Sequence, residues 1–428
     1  MGRAVQRRFL GLTAAAAALA MTAALAGCGS SGGSGDVTLK LVAADYDVAG
    51  GENSKKYWAD LTAAFEKEHP GIKVDVQIES WSDVDRKVAE MVEAGKAPDV
   101  AQIGAYADYA AAGKLYSADQ LLSIPVQSNF LGPLADAGEM KLVQYGLPFV
   151  ASTRLLFYNK KLLAEAGVDG AGLKTWADLK SAAEKLKDKT DAKYPFALPL
   201  GPEEAQAETM MWLLSGGDGY VDPVGKYSVD SQENINTFQW LKDNLVDEKL
   251  TGPVAPGELN RKDAFAAFTR GEVGMLNGHP SLMQAAEKAG VEFGMVALPG
   301  KEGKPKSSMG VADWIMGFKQ NGHRKEIGAF LDFVFSDENV LKFAGDNDLL
   351  PVTVSASEAM EQNAAHKELQ PFLKELPSSV LPPVGKTSWA KVSENIKTTI
   401  GKAVQPGGSP AAVLGQIGRA AAVAEQAE

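Results

Sequence analysis

The chain has 428 residues, 45% of them apolar and 23% charged, a globular balance that excludes a disordered or collagen-like polymer. With 54 acidic against 43 basic side chains and a formal charge of −11, it lacks the clustered Lys and Arg from which nucleic-acid affinity comes. A single cysteine, Cys28, excludes an intramolecular disulfide, a Cys-based zinc site and a CxxC redox pair, and the length suggests two or three domains.

Arg3, Arg7 and Arg8 precede an Ala/Leu-rich run from Phe9 to Ala26 that ends in small residues, the pattern of a secretory signal. Residues 1–27 are expected to be a signal peptide. The tail Leu25-Ala26-Gly27-Cys28 resembles a bacterial lipobox, which implies that Cys28 is lipidated and becomes the first mature residue. Without the leader the charge is −14. Gly29–Gly35 consists entirely of Gly and Ser, so 28–36 reads as a lipidated Cys and a flexible tether. The expected location is the outer face of a bacterial cell membrane, with the body held by acyl chains rather than embedded. Arg7-Arg8-Phe9-Leu10 also resembles a twin-arginine signal with the phenylalanine one place early, so both export routes stay open.

From residue 53 the pattern alternates. Asn53 or Ser54 starts a helix carrying Trp58, Leu61 and Phe65, stopped at Pro70-Gly71. Ile72, Val74, Val76 and Ile78 alternate with polar residues as a half-buried strand. A second helix carries Val84, Val88, Met91 and Val92 and ends at Gly95, and Pro98–Ile103 is a short strand. This strand–helix alternation predicts a largely parallel sheet covered by helices. One hydrophobic strand is read from Leu147 to Tyr158, then a helix Lys160–Ala166 capped by Asn159 and ended by Gly167. Thr175-Trp176-Ala177-Asp178 is a capping box. Helices follow at Glu203–Ser215, around Phe238 and around Phe265, with strands at Val273–Asn277, Phe293–Leu298 and Val311–Phe318.

Catalytic signatures are missing. The four histidines, His69, His279, His323 and His366, are far apart, and the chain contains no P-loop and no GxSxG elbow or GxGxxG following a predicted strand. No metal or cofactor is called for. The tryptophans carry more information. Trp58, Trp176, Trp240 and Trp389 lie on apolar helical stripes and read as core, while Trp212 is ambiguous by spacing alone. Trp81, beyond a strand and among Glu79, Ser82, Asp83 and Asp85, and Trp314, beside Asp313, sit where ligands bind in α/β sheets. Rings beside acids suit a sugar, whose C–H faces stack while its hydroxyls need partners; the plainer reading is that each ring covers a loop.

Several stretches in order carry a resemblance: Phe65-Glu66-Lys67-Glu68-His69-Pro70-Gly71, Ala97-Pro98-Asp99-Val100, Tyr158-Asn159-Lys160, Thr175-Trp176-Ala177-Asp178-Leu179, Gly271-Glu272-Val273-Gly274-Met275, Leu298-Pro299-Gly300, Val334-Phe335-Ser336 and Leu350-Pro351-Val352. Together they are similar to the sugar-binding lipoproteins of bacterial ABC importers, the family that includes maltose-binding protein. The resemblance implies an α/β fold of two periplasmic-binding-protein-like lobes, joined by hinge crossings, with the ligand in the cleft between them. It places 37–148 and 308–350 in the first lobe and 151–305 and 352–428 in the second, with hinges near Leu147-Pro148-Phe149, Ser307-Ser308 and Pro351. By similarity the ligand positions are Asp45, Tyr46, Glu79, Trp81, Gln102, Tyr106, Ser152, Trp212, Asn277, Gly278, His279, Asp313 and Trp314. The expected partners are a sugar and the permease subunits of the importer, the chain acting as a monomer without catalysis. His279-Pro280 departs from the Pro-Trp of maltose binders, and Val352-Thr353 lacks an Arg that many relatives carry there. The rival readings are the same fold binding a polyol or glycerol phosphate, which would need Arg or Lys in the cleft, and a secreted glycoside hydrolase, which would need two flanking carboxyls.

Overall fold

A computed structural model describes residues 36–46 and 52–427; the leader, Cys28 and the Gly/Ser segment lie outside the described residues. Twelve strands are described: β1 Val37–Ala44, β2 Ile72–Glu79, β3 Val100–Ile103, β4 Glu139–Met140, β5 Val143–Gln144, β6 Leu147–Thr153, β7 Leu155–Asn159, β8 Tyr194–Ala197, β9 Val273–Gly278, β10 Phe293–Val296, β11 Ser308–Gly317 and β12 Ser379–Val380. They form two main sheets. The first has the order β12-β11-β3-β1-β2 with β6 also on β11; the second has the order β10-β7-β9-β8.

In the first sheet β1 runs parallel to both β2 and β3, as the strand–helix alternation predicts. The sheet is mixed, however, because β11 returns antiparallel to β3 and β6. Val84, Val88 and Val92 of the helix Val84–Glu93 and Trp58, Leu61 and Phe65 of the helix Asn53–Glu68 are the buried stripes. They pack with β1 and β3 in one apolar core that also takes in Phe149, Phe330 and Phe343. A second core gathers Trp176, Phe196, Trp212 and Phe238 with the C-terminal helices.

The local signals hold. Asn159 Oδ1 accepts from the Leu162 amide at 3.1 Å, and Gly167 takes the left-handed φ of 68° that ends that helix. Thr175 and Asp178 close the capping box at 3.1 and 2.9 Å. The apolar run 147–158 departs from its reading as one strand. It divides at Arg154, with β6 in the first sheet and β7 in the second. The first crossing is therefore at Arg154 rather than at 147–149, and a second links β10 to β11. The third does not coincide with Pro351. The helix Val354–Gln362 packs on Asp337–Asp346, the helix Gln370–Leu373 packs on β6, and β12 pairs with β11. The chain joins the second core only from the helix Trp389–Thr399 onward, so residues 381–388 make this passage.

Candidate functional site

The C-terminal ends of the parallel strands β1, β2 and β3 share one edge of the first sheet, the edge where α/β folds bind ligands. The Gln102 side chain accepts from the Ala44 amide at 3.0 Å and donates to the Tyr46 hydroxyl at 2.9 Å. That hydroxyl in turn donates to Asp313 at 2.7 Å, and the Trp81 ring meets Tyr46 edge-on at 5.3 Å. Four expected residues thus form one connected group. Loss of solvent pushes the Asp313 carboxyl up to about 6; the Tyr46 bond opposes this and Asp85 adds to it. Glu79 is held in an ion pair with Lys87. The Asp45 amide donates to the Glu79 carbonyl at 2.8 Å, which ties the first two loops together.

Tyr106 and Trp314 stand beneath this group. Both are fully buried and pack on each other at 5.3 Å, with Gly146 so close that an added Cβ would lie 2.6 Å from the Tyr106 ring. Neither offers a ring face to solvent. Trp212 is likewise a core ring, 3% exposed, among Trp176, Trp240 and Phe196.

On the second lobe Trp212 Nε1 and Asn277 Nδ2 both donate to Glu208 Oε1, at 2.8 and 2.9 Å. Burial pushes the Glu208 carboxyl up to about 8, against the pull of those donors and of Arg154. Glu208, Asn277, Gly278, His279 and Arg154 line one cavity of about 10 Å³, roughly the room of a single water. Burial, then the nearby Arg154 and Arg261 charges, hold His279 well below its usual range, so the imidazole is neutral. Ser152 accepts from the Arg154 guanidinium at 2.9 Å.

A groove of about 460 Å³ runs beside the Tyr46–Trp81 group. Asp85, Gly104, Ala105 and Tyr109 line one wall; Lys386, Thr387 and Trp389 line the other. The Gly104 and Ala105 amides donate to Asp85, whose Oδ1 is left buried and without a partner. Trp389, read from its stripe as core, is only partly buried because it is the first residue of its helix and overhangs the packed face. A separate cavity of about 400 Å³, lined by 246–258 and 398–406, lies away from every expected position. Among the described residues no cluster of three metal-binding side chains occurs, and no helix is long and apolar enough to cross a membrane.

Sequence reasoning named Asp85 only as a neighbour of Trp81 and missed Arg154, Glu208, Lys386 and Trp389 as site residues. Two had a signal. Arg154 is a charge inside an apolar run, and Glu208 is the one charged residue of the helix Ala205–Gly216.

The two-lobed architecture has counterparts. The family model of bacterial extracellular solute-binding proteins matches residues 49–341. The chain belongs to that family. Among relatives of this solute-binding protein, a binding protein of Brucella abortus is 26% identical over 90% of this chain and 92% of its own. The maltotriose-binding protein of Pyrococcus abyssi is 27% identical over 65% and 60%. In fold, the solute-binding protein superposes on the GacH receptor of Streptomyces glaucescens with a TM-score of 0.74, at 23% identity, covering 91% of this chain and 99% of that one. It matches the cyclic alpha-maltosyl-1,6-maltose binding protein of Arthrobacter globiformis at 0.77, with 19% identity and 92% and 100% covered.

Proposed function

We propose that this solute-binding protein captures a neutral carbohydrate between its lobes and hands it to the membrane subunits of an ABC importer. The observation that carries the reading is the groove with Trp389 on one wall and Asp85, Gly104 and Tyr109 on the other, Gly104 lying next to the Trp81 ring of the Tyr46–Trp81–Asp313 group. Aromatic faces take sugar C–H groups and carboxylates take hydroxyl protons. A ligand that touches both walls binds the closed arrangement better than the open one, and that difference drives closure. Of the other expected positions, Asn277, Gly278 and His279 line the separate small cavity with Arg154 and Glu208 rather than this groove. Tyr106 and Trp314 are buried in the first core and Trp212 in the second.

The charges on the cleft favour a neutral solute over glycerol phosphate. Arg261 pairs with Glu203 at 3.0 Å and Lys386 with Glu425 at 2.6 Å, so these two cations are already balanced, and the Arg154 guanidinium donates to Ser152 and to the Thr153 carbonyl. Acylation of Cys28 would hold the mature chain, acting as a monomer without catalysis, at the outer membrane face. A thermal-shift screen against a panel of neutral sugars, polyols and glycerol phosphate tests the function. A neutral sugar at about 100 times its Kd should add about 2.7 kcal/mol of stability. Stabilisation by glycerol phosphate alone, or cleavage of an oligosaccharide by the pure protein, would overturn the reading.

A further inference from the structure

Four non-glycine residues take a left-handed backbone: Lys141 and Leu142 at the β4–β5 turn, with φ of 52° and 64°, Lys249 at 58° and Asp348 at 49°. Without glycine this conformation is costly. Among the described residues six helices end with glycine there, at Gly95, Gly113, Gly167, Gly217, Gly271 and Gly290, and close through the same two backbone bonds. The helix Gln232–Leu241 continues into the π turn Lys242–Val246 and closes in the same way, Leu250 donating to the Leu245 carbonyl at 2.8 Å and Lys249 to that of Val246 at 2.9 Å. It carries Lys249 where the others carry glycine. Asp348, at another such end, has a short side chain that tolerates the conformation, and its carboxylate accepts from Gln284. Lys249 has no such compensation inside the fold. Backbone strain and π turns both concentrate at functional sites.

Lys249 lines the cavity of about 400 Å³ on the second lobe, and Lys402 of the short helix Ile400–Ala403 lines it too. Pro253, Pro256 and Pro406 give it apolar faces. Its two bounding segments touch, since an added Cβ at Gly401 would lie 2.4 Å from the Gly257 Cα. The lining holds two lysines against one carboxylate, Glu258, and no aromatic ring; neither lysine is in an ion pair with Glu258 or any other described acid. Two unneutralised ammonium groups on a chain of formal charge −11 select an anion.

We propose that this cavity is a second ligand site, for a small organic anion with an apolar body, the anionic group held by Lys249 and Lys402 and the body lying on the proline faces. The site shares no residue with the groove, so it stands apart from the carbohydrate reading.

Calorimetric titration of the protein with octanoate, octanol and octylammonium tests this. Octanoate should bind at a single site, octanol about tenfold or more weakly, and octylammonium not at all, because a hydrogen bond to a charged group is worth about a factor of ten or more. Lys402→Gln and Lys249→Gly should each weaken octanoate about tenfold and leave the affinity for the sugar unchanged. Lys249→Gly should at the same time raise the urea midpoint by releasing the left-handed strain, a trade that a lysine with only a structural role would not show. No saturable octanoate binding, equal binding of the three probes, or octanoate affinity unchanged in both variants overturns the proposal. Displacement of octanoate by the sugar overturns it as well, by placing the probe in the groove. If octanoate behaves as expected and no sugar binds, the carbohydrate reading falls alone.

Discussion

Glu208 stands alone as a charge on a helix whose other residues include Met210, Met211, Leu213 and Leu214, all buried. Its folded carboxyl titrates at about 8, against an ordinary value of 4.5, because burial disfavours the ion. Between those two values the folded chain keeps a proton that the unfolded chain releases, so this group lowers stability as pH rises from about 4.5 to about 8. Urea midpoints at pH 5 and pH 8 should show that decline in the parent and a shallower one in Glu208→Gln; equal slopes would remove the assignment. Tryptophans divide by surroundings. Trp212→Ala and Trp314→Ala empty well-packed sites and should each cost about 3–5 kcal/mol, read as a lower thermal midpoint. Trp81, 37% exposed, should change stability by about 0.5 kcal/mol or less when cut to alanine. Spacing alone could not sort these rings. Trp212 and Trp389 both sit on apolar stripes, and what separates them is the position of Trp389 at its helix start, visible only once the neighbouring elements are placed.

At the scale of elements, caps and stops were legible because they act within four residues. Asn159, Gly167 and Thr175-Asp178 do in the fold what their chemistry indicates. Asn159→Ala should cost about 1 kcal/mol by orphaning the Leu162 amide, measurable by chemical denaturation. The division of 147–158 between two sheets was not legible, since both halves are buried and read as one apolar run. Only Arg154 marks the change, with a guanidinium that would break the pattern of any single buried strand. The β4–β5 hairpin turns on Lys141-Leu142, where Asn-Gly would satisfy both left-handed residues. The double substitution Lys141→Asn with Leu142→Gly should therefore raise stability by about 1 kcal/mol or more; a fall in the denaturation midpoint would contradict the strain inferred there.

For the molecule as a whole, the two-lobed fold was readable from strand–helix alternation joined to the order of many short stretches. The passage of 352–380 along the first sheet was not, because β12 is two residues long and its pairing partner lies about seventy residues away in sequence. The cleft was half legible. Tyr46 and Trp81, just beyond β1 and β2, meet Gln102 of β3 and Asp313 of β11, whereas the Trp389 side is built from a helix start and a crossing, which carry no strand-end signal. That asymmetry points to the most direct test of the central claim, that sugar is held between the lobes. Calorimetric affinity should be measured for the sugar that stabilises the parent, with Trp81→Ala on one side and Trp389→Ala on the other. Each variant should lose about tenfold or more in affinity while remaining folded; full affinity in Trp389→Ala would mean that the sugar does not lie between the lobes.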